Sequence, residues 1–148
     1  MTRSARLCAL LLATAVFQAH ASDFTFAPTT SGGTLVWAVT FGTNAQPDNA
    51  PLTLIVGQTY TFTANTNVVH PFYIKTVQEA NGSAGAYPTG GTSGLDNNGV
   101  TSSTTTMTFT PPASAAGTLF YNCGNHPTMT GVINVIVDPI FADGFGDP

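Results

Sequence analysis

The sequence contains very little positive charge. Three Lys and Arg residues occur among 148, and two of them, Arg3 and Arg6, stand at the extreme N-terminus. A protein that binds nucleic acid needs clustered cations to displace counterions from the phosphate backbone. The scarcity of Lys and Arg therefore excludes nucleic acid as a partner and disfavours binding to an anionic membrane surface.

The first 21 residues have the pattern of a secretory signal peptide. Two arginines precede an apolar run over residues 7–17, and Ala19-His20-Ala21 has the small-residue spacing of a cleavage site. The run of 11 residues is too short to cross a bilayer, and no later stretch is a better candidate. We therefore expect an exported protein, periplasmic or secreted, that starts at Ser22 and has no stable membrane insertion.

Without residues 1–21 the chain is also poor in thiols and imidazoles. Cys123 is then the only cysteine, and His70 and His126 are the only histidines. A single cysteine in an exported protein cannot form an internal disulfide, so it is either buried and inert or functional. One lysine, Lys75, remains against seven carboxylates, which gives a net charge of −6. This acidic balance favours a basic protein partner.

Short segments rich in Thr, Val, Phe and Tyr alternate with Gly, Pro, Asn and Asp, and no stretch has helical periodicity. The pattern predicts an all-β fold, a Greek-key β-sandwich of seven to eight antiparallel strands. The predicted strands cover residues 23–27, 33–40, 52–56, 58–65, 68–76, 100–111, 118–122 and 131–138. The glycine-rich residues 77–99 form a long loop. We expect one domain over residues 22–138, followed by an acidic tail over residues 139–148.

The densest cluster of metal-binding residue types lies near the C-terminal end of the chain. Cys123, His126 and Met129 follow one another at intervals of three, with a glycine and a proline between them that oppose a helix. A tight loop of this length turns all three side chains towards one point. Thiolate, imidazole and thioether together are the donor set that suits copper. His70 is available as a second imidazole ligand.

This loop, with the pattern Tyr-x-Cys-x-x-His-Pro-x-Met, resembles the ligand loop of the cupredoxins, the small blue-copper domains. The likeness includes a glycine-led strand over residues 57–62, the histidine that follows Val68-Val69, and a glycine-containing strand after the loop. The spacing between the three ligand types is that of the shortest ligand loops in the family. The combination is more specific than the loop alone.

The resemblance implies both a function and a site. One type 1 copper ion would be held by four ligands, His70, Cys123, His126 and Met129. The chain would then be an exported one-electron carrier that cycles between Cu(I) and Cu(II), a monomer and not an enzyme. A redox partner protein would dock at an apolar collar around the ligand histidines, formed by Pro71, Phe72, His126 and Pro127.

The chain departs from the family directly after its first histidine, where Asn is common and Pro71 stands here. Proline has no N–H to donate to the cysteine sulfur. We therefore expect a more electron-rich sulfur, and a reduction potential lower than that of otherwise similar sites.

Other functions remain open at this point. A module that buffers or delivers copper would use the same ligands, although the Met-rich or multi-His segment that favours delivery is absent. A catalytic Cys–His pair lacks an orienting third group, and multicopper catalysis needs more histidines. Zinc rarely recruits a thioether and prefers further Cys or His. A sandwich with a decayed site is opposed by the four intact ligand types.

Overall fold

The computed structural model describes residues 22–138, and the predicted signal peptide and acidic tail lie outside them. Ten strands form in this part of the chain: β1 (Ser22–Ser31), β2 (Thr34–Phe41), β3 (Asn44–Ala45), β4 (Leu52–Ile55), β5 (Tyr60–Ala64), β6 (Phe72–Lys75), β7 (Leu95–Asp96), β8 (Thr106–Phe109), β9 (Gly117–Cys123) and β10 (Thr130–Ile136). Two single-turn 3₁₀ helices lie at Gly91–Ser93 and Ala113–Ala115. Among residues 22–138 there is no helix with the length and apolar content needed to cross a bilayer.

The strands form two sheets, which confirms the predicted all-β sandwich. One sheet has the order β3-β2-β1-β5-β8-β7 and the other the order β4-β10-β9-β6. Eight of the ten strands are four or more residues long, as many as the sequence predicts. The additional strands β3 and β7 have two residues each, too short to give a periodic signal in the sequence.

Two strand pairs are parallel, so the expectation of a wholly antiparallel sandwich was wrong. β1 runs parallel to β5, and β4 runs parallel to β10. In both cases the chain passes through the opposite sheet between the two partners and returns in the same direction. Alternation of apolar and polar residues shows which face of a strand is buried, but carries no information about the direction of the neighbouring strand.

The core between the sheets is rich in aromatic side chains. Phe26, Trp37, Phe72 and Tyr121 are all fully buried. The ring centroid of Phe26 lies 4.5 Å from that of Phe72 and 5.0 Å from that of Tyr121. Phe72 is paired across strands with Cys123, the last residue of β9. The aromatic core therefore extends directly to the end of the sandwich where the predicted ligand loop begins.

Residues 77–99 have more regular structure than their composition indicates, including β7 and one of the 3₁₀ helices. Asn98 holds the end of this segment against β6, since its side-chain Nδ2 donates to the carbonyl of Ile74 at 2.8 Å and its Oδ1 accepts from the Ile74 N–H at 2.9 Å. Near the start of the segment, the Gly82 N–H donates to the Gly124 carbonyl at 2.9 Å. The segment therefore packs along β6 and contacts the predicted ligand loop.

Candidate metal centre

Three of the four predicted ligands come together at one end of the sandwich. The ligand atoms of His70, Cys123 and His126 all lie within 4.8 Å of one another. Sγ of Cys123 is 3.4 Å from Nδ1 of His126 and 4.0 Å from Nδ1 of His70. The two imidazole centroids are 4.6 Å apart, with an angle of 34° between the rings. One thiol and two imidazoles therefore face a common point.

The separations between these atoms suit a single metal ion. Bonds of about 2.0–2.3 Å, the usual range for nitrogen and sulfur ligands of a divalent transition metal, place sulfur and nitrogen about 3.8 Å apart at a trigonal angle. The two sulfur–nitrogen distances at Cys123 fall on either side of this value. Because Cys123 is fully buried while both imidazoles are partly exposed, the sulfur is shielded and the histidines form the outer edge of the site.

His70 lies in a turn before β6, and not inside a strand as predicted for residues 68–76. Asn67 closes this turn, since its Oδ1 accepts from the Val69 N–H at 2.9 Å and its carbonyl accepts from the His70 N–H at 3.0 Å. The Thr66 hydroxyl donates to the His70 carbonyl. These bonds fix the backbone on both sides of the imidazole, as a rigid ligand requires.

The residues after Cys123 connect the ligand loop to the His70 turn. Asn125 donates its backbone N–H to Sγ of Cys123 at 3.4 Å and its side-chain Nδ2 to the Val69 carbonyl at 2.8 Å. The Gly124 N–H donates to the Pro71 carbonyl at 2.8 Å. A single side chain, that of Asn125, thus joins the two segments that carry the imidazoles. Nothing in the sequence beyond its place inside the loop indicated this role.

Glycine is required between Cys123 and Asn125 by close packing. A Cβ atom at Gly124 would lie 2.9 Å from Cε2 of Tyr73 and 3.0 Å from Cγ of Pro71. Both distances are shorter than ordinary van der Waals contacts between carbons. The absence of a side chain lets the ligand loop lie directly on β6.

Met129, the fourth predicted ligand, closes the loop through its backbone and is fully buried. Its carbonyl accepts from the Cys123 N–H at 2.8 Å and from Nε1 of Trp37 at 3.0 Å, and its N–H donates to the His126 carbonyl at 3.2 Å. The indole of Trp37 thereby links the opposite sheet to the ligand loop. Because a buried indole N–H needs an acceptor, this bond also satisfies the only side-chain donor of Trp37.

A second connection between β2 and the ligand loop runs through Asn49 and Thr128. Nδ2 of Asn49 donates to the Thr128 carbonyl at 2.9 Å, while its Oδ1 accepts from the Trp37 N–H at 2.8 Å. The Thr128 hydroxyl donates to the Leu35 carbonyl at 2.6 Å. The ligand loop is therefore held by β2, by β6, by the His70 turn and by the segment 77–99, whose Gly82 N–H donates to the Gly124 carbonyl.

Two residues expected in the apolar collar are buried, which corrects that prediction. Phe72 is 0% exposed because its ring packs edge-on against Trp37, with centroids 5.3 Å apart. Pro71 is also buried, since it lies beneath Gly124. The prediction failed because the collar was carried over from the resemblance, which does not show which of these side chains point into the core.

The exposed apolar residues beside the imidazoles are different ones. Val68 is 75% exposed and Val69 is 52% exposed, both in the turn that carries His70. Pro127 is exposed on the facing loop, next to the partly exposed His126. These three side chains, Val68, Val69 and Pro127, are the apolar rim of the site.

The environment favours neutral, metal-binding imidazole at His70. Burial lowers the pKa of His70, and the nearby charge of His126 lowers it further. A metal binds only the deprotonated nitrogen, so a lowered pKa reduces competition from protons near neutral pH.

Replacing Pro71 by Asn should raise the reduction potential of the copper-loaded protein. The substitution adds a backbone N–H directly after His70, the position from which the resemblance implies a donor to the cysteine sulfur, and hydrogen bonds to a thiolate ligand make the metal easier to reduce. Pro88→Asn is the matched control, because Pro88 is exposed on the segment 77–99. Voltammetry compares the two variants; an unchanged or lower potential in Pro71→Asn would contradict this account of the departure.

Comparisons with known proteins give only distant similarities. No protein-family model and no curated protein match the chain. Rusticyanin from Thiobacillus ferrooxidans is 21% identical over 77% of this chain and 76% of that chain, with a TM-score of 0.45. A rusticyanin variant is 18% identical over the same shares, with a TM-score of 0.47. A multicopper oxidase from Aquifex aeolicus is 17% identical over 80% of this chain and 27% of that chain, with a TM-score of 0.44.

These similarities are too distant to identify a function. The evidence for a copper site is therefore the fold and the ligand arrangement of the chain itself. Two imidazoles and one thiol converge at the end of a two-sheet sandwich, and a methionine follows on the same short loop. This donor set fits one type 1 copper ion. The frame and the ligand arrangement together confirm the predicted resemblance to a cupredoxin domain.

Proposed function

We propose that the chain is an exported type 1 copper protein that carries single electrons. His70, Cys123, His126 and Met129 would hold the ion. The observation that supports this most strongly is the approach of two Nδ1 atoms to the buried sulfur of Cys123, at 3.4 and 4.0 Å. When bound, copper supplies the one-electron couple between Cu(II) and Cu(I).

The tethers around the ligand loop support electron transfer rather than copper delivery. Trp37, Asn49 and Asn125 each donate a side-chain N–H to a carbonyl in the ligand loop or the His70 turn. A loop fixed in this way keeps the ligand geometry alike in both oxidation states, which lowers the reorganisation that accompanies electron transfer. A delivery site must instead open to release its ion.

The small number of histidines argues against catalysis. Residues 22–138 contain two histidines, and both are used by the mononuclear site. A copper cluster that activates a substrate needs further imidazoles and an open coordination position. We therefore propose a carrier without catalytic activity of its own.

Export is part of the proposal and depends on residues 1–21. Cleavage after Ala21 removes Cys8 and His20 and leaves every strand from β1 onwards intact. We propose a periplasmic or secreted monomer with its domain over residues 22–138 and an acidic tail over residues 139–148. N-terminal sequencing of the exported protein tests the cleavage site.

The redox partner is proposed to dock at the apolar rim, Val68, Val69 and Pro127. His70 and His126 are partly exposed and are adjacent in sequence to Val69 and Pro127, so their imidazoles offer a route for an electron to the surface. The net charge of −6 after removal of the predicted signal peptide favours a partner with a basic surface.

Reversible voltammetry tests the proposed function. The protein loaded with Cu(II) should be intensely blue, lose its colour with ascorbate and regain it on reoxidation without loss of copper. A buffering or delivery module would release copper in one oxidation state, so that the second cycle would show a smaller current. A colourless protein, or one that retains zinc in preference to copper, would rule the proposal out.

Val68→Lys should slow electron exchange with a lysine-rich cytochrome by about tenfold, because it places a like charge on the rim and removes apolar contact area. Val137→Lys is the matched control: Val137 is 51% exposed and follows β10, at the other end of the sandwich. Stopped-flow rates at low ionic strength measure the difference. Equal rates in the two variants would place the docking surface elsewhere.

A further inference from the structure

Lys75 is the one cation in the described part of the chain, and it is completely buried. It lies at the end of β6, and its side chain is 0% exposed. Burial of an ammonium group costs considerable free energy unless its charge is compensated. The position of Lys75 therefore calls for a physical explanation.

The segment 77–99 folds back over Lys75 and shields it from water. Nζ of Lys75 donates to the Glu79 carbonyl at 2.9 Å and lies 5.5 Å from the centroid of the Tyr73 ring. The backbone of Lys75 pairs with that of Ala86 in an isolated bridge. Its hydrogen bond goes to a neutral carbonyl, so this contact leaves the positive charge of the ammonium uncancelled.

The same strand places Lys75 close to the cysteine ligand. Phe72 is opposite Cys123 and Lys75 is opposite Phe120 in the pairing of β6 with β9. Three residues of a strand span about 10 Å, which sets the distance between the two pairs. Burial lowers the pKa of Lys75, and the negative charges of Glu79 and Cys123 partly offset this effect. Lys75 and Cys123 point to opposite faces of the sheet, because the two pairs are an odd number of residues apart. Nζ of Lys75 lies 5.5 Å from the centroid of the Tyr73 ring, and this ring packs against Gly124, the residue after Cys123. The ammonium and the thiolate therefore act on one another across the sheet.

We propose that Lys75 is a residue that tunes the copper centre by raising its reduction potential through the charge of its buried ammonium. This proposal rests on the proposed electron-carrier function. Reduction adds one electron, from an electrode or from ascorbate, to copper and its thiolate, so the site becomes more negative by one unit. A fixed positive charge stabilises that product more than the oxidised form.

The surroundings of Lys75 let its charge act more strongly on the site than the nearby carboxylates do. Charges inside the protein interact through a lower dielectric than charges in water, and dissolved salt screens them little. The carboxylates nearest in sequence, Glu79 and Asp96, are exposed, and solvent weakens their opposing fields. Lys75 therefore acts against the expected effect of Pro71, which offers no N–H to the sulfur.

Lys75→Met tests the proposal, since methionine keeps an unbranched side chain and removes the charge. Lys75→Arg is the matched control that keeps it. We expect voltammetry to show a lower potential in Lys75→Met at both low and high ionic strength, with the potential of Lys75→Arg close to that of the unmodified protein. The blue absorption band should keep its position in both variants, because no ligand changes.

A purely structural role of Lys75 predicts a different pattern. The melting temperature of Lys75→Met would then fall while its potential stayed the same; we expect an unchanged or higher melting temperature, since apolar replacements of buried charges are often neutral or stabilising. Equal potentials in the blue Lys75→Met variant and the unmodified protein would overturn the role of Lys75 alone. An unmodified protein that gives no blue band would overturn the proposed function and this proposal together.

The potential can also be followed against pH should Lys75→Met fail to fold. Loss of the Lys75 proton removes the positive charge, so the potential should fall as the pH rises through the lowered pKa of this group. The other titratable groups around it are Glu79, Tyr73, Tyr87 and Cys123. Arginine remains protonated throughout, so Lys75→Arg should lack the fall. An equal fall in Lys75→Arg, or a flat profile in both proteins, would overturn the proposal.

Discussion

Replacement of His70 by glycine should abolish the blue charge-transfer band, and added imidazole should restore it. His70 supplies one of the two nitrogens that face the sulfur of Cys123, and it comes from a separate segment of the chain. Its ring is partly exposed, so a free imidazole can enter the space that the substitution leaves. The turn itself is held by Thr66 and Asn67 through backbone groups that remain in the variant.

The unmodified protein given the same imidazole is the control, and its spectrum should not change. Asn125→Ala is a useful companion, since it removes the tether to the Val69 carbonyl but no ligand. A His70→Gly variant that keeps the full band without imidazole would exclude His70 as a ligand and contradict the proposed site.

Gly131→Ala should lower the free energy of unfolding by about 2–4 kcal/mol. This is the sum of the cost of overpacking the core and the cost of losing a buried hydrogen bond. Gly131 is directly opposite Tyr121 in the pairing of β9 and β10, and a Cβ atom there would overlap the hydroxyl end of the Tyr121 ring. That hydroxyl is buried and donates to the Ala50 carbonyl at 2.7 Å. Chemical denaturation of the copper-free protein measures the change.

A double mutant separates the overlap from other effects of the alanine. Tyr121→Phe alone should cost about 1–2 kcal/mol, because it leaves the buried Ala50 carbonyl without its donor. The same change frees space beside Gly131, so the double variant should lose less stability than the sum of the two single variants. Strict additivity would show that Tyr121 does not limit the size of the side chain at Gly131.

Spacing indicated the candidate ligand loop because three of the candidate ligands are local in sequence. Cys123, His126 and Met129 lie within seven residues, and the constraints on their loop, a glycine and a proline, lie between them. The distant His70 was identified by elimination, since removal of the predicted signal peptide leaves only two histidines. The structure then places His70 within reach of the other donors.

The hydrogen bonds that hold the ligand loop could not be predicted from the sequence. The bonds from Trp37 to Met129 and from Asn49 to Thr128 join residues 92 and 79 positions apart. They depend on how the two sheets pack, which no local pattern encodes. The burial of Phe72 was missed for a related reason: the docking surface was taken from the resemblance, and only the packing of β6 shows that this side chain points into the core.

Titration of the copper-free protein with Cu(II), followed by visible absorption, tests the central claim most directly. A single thiolate-bound copper ion should give an intense blue band that rises to one equivalent per chain and then stops. The band should be absent from Cys123→Ser, whose oxygen cannot give the thiolate charge transfer. A band that continues to rise beyond one equivalent, or that is equally strong in Cys123→Ser, would contradict a single thiolate-bound copper at this site.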